Sequence, residues 1–434
     1  MREWPTAALS RADCQIHISG YPAQVNMQAL AKSLVGVAAT AAMFGHPLLA
    51  QTSRDSAGVL IVENTRPAWS DSERVWLATN PRLVIGNNTD SAYRFRQVRG
   101  VMLLADGRIA VADAASLQLR MFSPQGRFLS VSAGKGTGPG QLLNMLWVRH
   151  LSGDTIAVAA GFSTLALYSN TGHFVRTVAL SPPEGGPAGR LLLVEVLKNG
   201  VSVAAPLPHP TQGTVGSRWT DSLVLRLVTG SKDSVRELGT FPYMEFEQVS
   251  SGPTPVWLSA IGVFAAGDDR FYAGFGNRYA IRVYTSKGNL QSIIRRSWRP
   301  EPITADDWEH WVVEWSKLWV KATGAERDRE VQKVREEPWA EELPAFSQFI
   351  VDLSGRLWVR GAHWQDAIGA GSLTDIPAVP STWSVFDVRG RWLGDVRMPA
   401  GFQPFEIGTD YVTGIRRTDG VNQVVIYDLS ARGR

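Results

Sequence analysis

The feature that most constrains this chain is a repeat. A tight turn before a β-rich run occurs at Asp106-Gly107 (RIAVAD), Gly153-Asp154 (TIAVAA), Asn199-Gly200 (VSVAA), Asp268-Asp269 (RFYAG) and Ser354-Gly355 (RLWVR), with a weaker copy at Gly408-Thr409-Asp410 (YVTGI). A second unit sets an aromatic residue four places before a glycine: Phe122/Gly126, Tyr168/Gly172, Tyr284/Gly288 and Phe386/Gly390. The two units keep register. Gly107 to Gly126, Gly153 to Gly172 and Asp269 to Gly288 each span 19 residues, and the turns at Gly107, Gly153 and Gly200 follow one another at 46 and 47. Short apolar runs bounded by Gly, Asn and Asp describe antiparallel meanders. A meander of four strands repeated at this period predicts an all-β, six-bladed β-propeller, with copies near 95–131, 142–180, 190–240, 256–297, 345–397 and 402–430. An open solenoid is the competing architecture.

Ring closure favours the propeller. Only seven residues follow Tyr427, too few for a fourth strand in the last copy, while Pro81–Gly86 is a spare strand upstream of the first. Pairing the two would remove two exposed sheet edges. Removing residues through Thr65 should then cost far less than removing residues through Asn87. The expected organisation is a leader over 1–50, an N-terminal segment over 51–80, and the propeller over 81–434 with a helical insertion at about 299–343.

The segment RGVMLLADGRIAVADAASLQLRMFSPQGRFLSVSAGKGTGPGQ, residues 99–141, resembles an NHL-type repeat. The resemblance rests on its turn, its Val111-Ala112-Asp113, its Phe122-Ser123-Pro124-Gln125-Gly126 corner and its Gly138-Pro139-Gly140-Gln141 linker. It is strong in the first two copies and loose in the third, where Leu227 stands near the place of the corner aromatic. The whole chain is similar to exported bacterial six-bladed propellers of unassigned function. NHL-type propellers mostly bind proteins and some bind RNA; a few relatives are lyases or lactonases with a metal at the tunnel mouth. The resemblance therefore implies a fold more than an activity.

The N-terminus speaks for export. Lys32 precedes a 12-residue run, SLVGVAATAAMF, which ends before Gly45-His46-Pro47 and Leu48-Leu49-Ala50. That pattern is a secretory leader, too short for the ~20 apolar residues of a membrane span. Met27 is an alternative start, and an ordinary buried helix is the competing reading of the same run, against which its polar flanks speak. The single cysteine, Cys14, lies inside this leader, so the exported product would carry neither disulfide nor lipid-anchored cysteine. The expected compartment is periplasmic or extracellular, with no membrane anchor after cleavage. Removing residues 1–50 takes three basic and two acidic side chains from a formal charge of +4, leaving +3. Charges alternate in sign without a basic run, which argues against a nucleic-acid partner.

In an up-and-down meander the ends of second and fourth strands share one face. Three long insertions, Pro206–Trp219, Arg299–Leu343 and Gly361–Ser381, follow such strands, so all should emerge together. Loops gathered on one rigid face are where binding usually lives. In the middle insertion, Thr304 and Asp307 form a capping box and Trp308, Trp311, Val312, Trp315, Leu318 and Trp319 recur at helical spacing. A second, charged helix follows over about Ala325–Glu337. The tryptophan stripe reads first as packing onto the propeller rim. It reads second as a lid, with Trp308 or Trp319 facing the tunnel mouth.

Further ligand-binding candidates on that face are His209, Arg278, Tyr279, His363, Trp364, Asp366, Arg416 and Arg417. No cofactor is expected for a binding module that takes a protein or a small molecule. The alternative is a hydrolase or lyase holding calcium or zinc at the tunnel mouth. A zinc site wants three protein ligands, which His209, His310 and His363 would have to supply through three separate loops. Oxygen ligands could come from Glu195, Gln348 and Glu406 on innermost strands, which equally suit a hydrated channel. The glycine-rich Gly134–Gly140 lacks phosphate-loop order, and neither a GxSxG nor an HExxH occurs.

Overall fold

A computed structural model describes residues 51–86, 89–180, 191–206, 211, 213–229, 235–364, 379–418 and 420–431, so the leader expected over 1–50 lies outside the described residues. The fold is all-β and propeller-like. Antiparallel meanders of four strands form sheets at 98–131, 148–179 and 348–398, and further sheets at 191–255, 262–296 and 402–431 are extended by additional strands. Apolar clusters sit between consecutive sheets. Leu119 and Met121 meet Ile156 and Val158, Leu223 and Leu225 meet Phe271 and Ala273, and Trp358 and Trp383 meet Val412 and Tyr427. A further cluster joins the two ends of the series, packing Ile415 and Val424 against Val98, Val111 and Phe122.

The aromatic-glycine corner now has a physical reason. Phe122, Tyr168, Tyr284 and Phe386 are all buried between sheets. Their glycines turn with positive φ where the outer hairpin meets the preceding sheet. At Gly172 (φ +83) a Cβ would fall 2.0 Å from Ser132 Oγ, and at Gly390 (φ +81) 2.8 Å from Ile294 Cγ1, so both the backbone and the contact demand glycine. The third sheet, which lacks the corner aromatic, instead carries the long hairpin Arg218–Val228 and Val235–Val249.

The segment before the first meander works as a strap. Gln51–Ser56 and Val59–Asn64 form a hairpin whose second strand pairs in parallel with Leu290–Arg296. Ala68 N and Trp69 N then donate to Trp392 O and Leu393 O, at 3.0 and 2.7 Å. Val75–Leu77 and Leu83–Ile85 finally lie antiparallel to Val421–Ala431. The spare strand at 81–86 thus meets the final copy, in the register Ile85 with Val424 and Leu83 with Ile426. One expectation needs correction. Removing residues through Thr65 would also uncover a sheet edge, because Val59–Asn64 covers Leu290–Arg296 and buries Val62 and Asn64.

Between Leu290–Arg296 and Gln348–Val351 stand two helices, α1 (Ala305–Trp319) and α2 (Gly324–Arg335). The capping box is present: Thr304 Oγ1 accepts from Asp307 N at 3.1 Å, and Asp307 Oδ2 accepts from Thr304 N at 2.9 Å. From α2, Arg327 donates to the Ser316 and Val320 carbonyls at 3.4 and 3.2 Å, satisfying the C-terminal end of α1.

Candidate functional site

The insertion-bearing face was expected to present a tryptophan lid, and most of that stripe is core. Trp308 is 4% exposed and Trp311 fully buried. Trp308 stacks on Trp311 at 4.8 Å and on Trp339 at 5.8 Å, and Trp257, just before the 262–296 sheet, meets Trp311 at 4.9 Å. Trp308 Nε1 donates to Arg335 O at 3.2 Å, which ties its ring to α2 rather than to a tunnel mouth. The expectation that Trp308 faces the tunnel mouth is therefore corrected: the indoles bury one another within a cluster completed by the Trp257 loop, α2, Trp339 and Leu343. Trp315 is half-buried, and the Trp319 side chain lies outside the described residues.

The other sequence candidates divide. His209 and Asp366 lie outside the described residues. Trp364 packs against the helical cluster, with His310 on its ring at 4.9 Å and His363 at 5.9 Å, so two insertions meet there. Among the described residues no three His, Cys, Asp or Glu side chains gather as metal ligands. Arg278 and Arg417 are exposed, the latter donating to Asn422 Oδ1 at 3.1 Å. Arg416 is half-buried and donates to Gln423 Oε1 at 3.1 Å.

Tyr279 is the candidate that leads to a site. It lies between Arg270–Phe275 and Ala280–Thr285, is 7% exposed, and borders a cavity of about 190 Å³. That cavity sits at the roots of two insertions, walled by Ser297–Arg299 and Glu301 on one side, Leu343–Ala345 on another, and Gly361, Ala362 and Thr382 on a third. Its floor holds a polar group that the sequence reading missed. The Arg296 guanidinium lies 3.7 Å over the Trp392 ring and 5.4 Å from that of Tyr279, held flat by two aromatic faces. Its Nη1 donates to Ser384 Oγ and lies 3.5 Å from Asp395 Oδ1. Asp395 Oδ1 also accepts from Ser384 Oγ at 2.8 Å and from Trp392 Nε1 at 3.2 Å. The Tyr279 hydroxyl lies beside Arg296 and Ser384 yet meets neither in hydrogen-bonding geometry. Burial pushes it up to about 12, with Arg296 and Ser384 opposing, so it remains a proton donor at neutral pH. The clue in the sequence was Arg295-Arg296-Ser297-Trp298, charged residues ending a strand where an insertion begins.

The opposite end of the first strands is closed by groups that satisfy one another. Glu406 accepts from Leu103 N at 3.0 Å and from Tyr411 Oη at 3.0 Å, and its Oε2 meets His150 Nδ1 at 2.9 Å. His150 Nε2 meets Asp154 Oδ1 at 2.8 Å, and Asp154 Oδ2 accepts from Ala105 N at 3.0 Å. Burial opposes the charged imidazole, but Glu406 and Asp154 together hold His150 above its ordinary value. Glu195 is engaged by Arg149, with Nε at 3.0 Å from Oε2, and Gln348 Oε1 accepts from Gln403 Nε2 at 3.1 Å.

No family model and no curated protein matches the sequence. Solved structures do. A member of the DUF4221 family from Bacteroides vulgatus superposes with a TM-score of 0.50 at 11% identity, covering 83% of this chain and 99% of that one. A presumptive exported protein from Bacteroides fragilis gives 0.43 at 12%, covering 86% and 99%. Virginiamycin B lyase from Staphylococcus aureus gives 0.36 at 10%, covering 82% and 99%. At these identities the likeness concerns the fold alone, which is all-β and propeller-like. No helix among the described residues is long and apolar enough to cross a membrane.

Proposed function

We propose that the chain is an exported six-bladed propeller of NHL type that acts as a binding module through its insertion-bearing face. The observation that carries this reading is the cavity between the insertion roots. It is a concave site whose walls mix apolar surface from Trp298 and Leu343–Ala345 with polar groups from Arg296, Arg299, Glu301 and Asp395, and concave sites with convergent polar groups are where small molecules usually bind. Its location supports the reading too, because variable loops on a rigid sheet scaffold can set specificity without disturbing the core. Glu195 and Glu406 are held by Arg149 and by His150, Leu103 and Tyr411, so the reading assigns them no metal. Export rests on Lys32 and the apolar run that follows it.

The test is hydrogen exchange on the exported protein with compounds that raise its melting temperature. Protection should concentrate at 296–301, 343–345 and 361–362. Protection centred on the opposite turns, 104–107 and 152–155, would refute a binding role for the insertion-bearing face.

A further inference from the structure

The cavity's polar floor specifies a ligand class, an inference that rests on the binding reading above. Arg296 spends its ring-facing surfaces on Trp392 and Tyr279 and its Nη1 on Ser384 and Asp395. That leaves the Nε–Nη2 edge, two parallel N–H donors in one plane, without a protein partner among the described residues. A fork of this kind matches the two oxygens of a carboxylate. The Tyr279 side chain, 7% exposed, lines the same space, and its hydroxyl is a buried donor without a hydrogen-bond partner. A buried hydroxyl left unsatisfied is a standing cost to the folded state, one that a binding site recovers when its ligand arrives.

Charge and size narrow the class. The cavity wall carries Arg296 and Arg299 against Asp395 and Glu301, a balanced set that one added negative charge suits better than two. A phosphate dianion would bring its second charge against Asp395 and Glu301. About 190 Å³ is the space of roughly six liquid waters, enough for a compound of six to ten non-hydrogen atoms. Trp298, Leu343, Pro344 and Ala345 offer apolar surface to the rest of that compound. We propose that this cavity binds a small monocarboxylate with a short apolar body, its carboxylate on the Arg296 Nε–Nη2 edge and the Tyr279 hydroxyl.

Titration calorimetry at pH 7 with acetate, isovalerate and hexanoate, the neutral isostere isovaleramide, and methylphosphonate tests this. Isovalerate should bind at least about tenfold more tightly than isovaleramide or methylphosphonate, the ratio expected when a charge-assisted hydrogen bond is lost. Tyr279→Phe should weaken isovalerate by about tenfold, while its melting temperature without ligand stays equal to wild type or rises, because an unsatisfied hydroxyl has been removed. Arg296→Lys keeps the charge but not the fork, and should weaken isovalerate further. Equal affinity for isovalerate and isovaleramide, unchanged affinity in Tyr279→Phe, or no heat from any carboxylate at concentrations up to about 50 mM would overturn the proposal. Exchange mapping separates the two readings. Isovalerate protecting other residues on the insertion-bearing face removes the carboxylate site and leaves the binding face standing; protection at 104–107 and 152–155 removes both.

Discussion

Asn64 is a polar position outside the cavity whose loss should be strongly damaging. It is 1% exposed, on the strap strand that covers Leu290–Arg296, and it joins three chain segments. Its Nδ2 donates to Arg295 O and Gly390 O, each at 3.0 Å, and its Oδ1 accepts from Trp392 N at 2.8 Å. Replacing it by Ala leaves the Trp392 amide and the Gly390 carbonyl stranded in a buried site and the Arg295 carbonyl in a partly buried one. At about 1–3 kcal/mol for each fully buried group and less for the third, the loss should total about 3–5 kcal/mol. Asn64→Asp keeps the acceptor for Trp392 N but turns the donor into a charged acceptor facing two carbonyls, so it should cost at least as much. Equilibrium urea unfolding of the purified protein gives both values, with an unchanged m-value showing that the folded states are comparable. A loss below about 1 kcal/mol in Asn64→Ala would mean that water replaces the amide or that the strap is not docked, and the argument would fail.

Other perturbations follow from the same contacts. Trp311→Ala should cost about 3–5 kcal/mol as a fully buried aromatic truncation, and half-buried Trp315→Ala distinctly less; equal losses would refute the packing order on α1. His150 is held above its ordinary value by Glu406 and Asp154, so its contribution is complete below about pH 6.5 and is lost as pH rises through the raised value. Wild type should therefore destabilise over that window relative to His150→Gln, and parallel pH profiles would refute the pairing. N-terminal sequencing of exported protein should begin within a few residues of Gln51, and a cytoplasmic product keeping residues 1–50 would refute export.

The periodic part of the fold was legible because its signals are local. A turn glycine, a corner aromatic and strand alternation each report on a few neighbouring residues, and their shared spacing located the sheets. The strap was half legible. Leu83–Ile85 stood out as an unpartnered strand, but nothing near Val59–Asn64 announces that its partner lies more than two hundred residues away. The tryptophan stripe shows the converse difficulty. Helical spacing located α1 and its cap, yet whether the stripe faces solvent or core depends on Trp257 and Trp339, which lie outside α1. The cavity was least legible. Tyr279 drew attention, while Arg296, Ser384, Trp392 and Asp395 come from three strands whose convergence no spacing encodes.

The two ends of the first strands differ in how their polar groups are completed, and that difference favours the proposed binding face over the opposite one. At the Glu406 end, every carboxylate oxygen named above has a protein donor, and three successive sheets contribute partners. Such a network rigidifies the closed end. At the insertion end, Arg296 is oriented as carefully, between two rings and against a carboxylate, but its free edge and the Tyr279 hydroxyl remain uncompleted. Stability alone would favour Phe at 279, since the ring packs against Phe346 at 5.6 Å and the hydroxyl earns no bond. A side chain that is costly in the empty protein and correctly placed for an incoming oxygen is better explained by a ligand than by the fold.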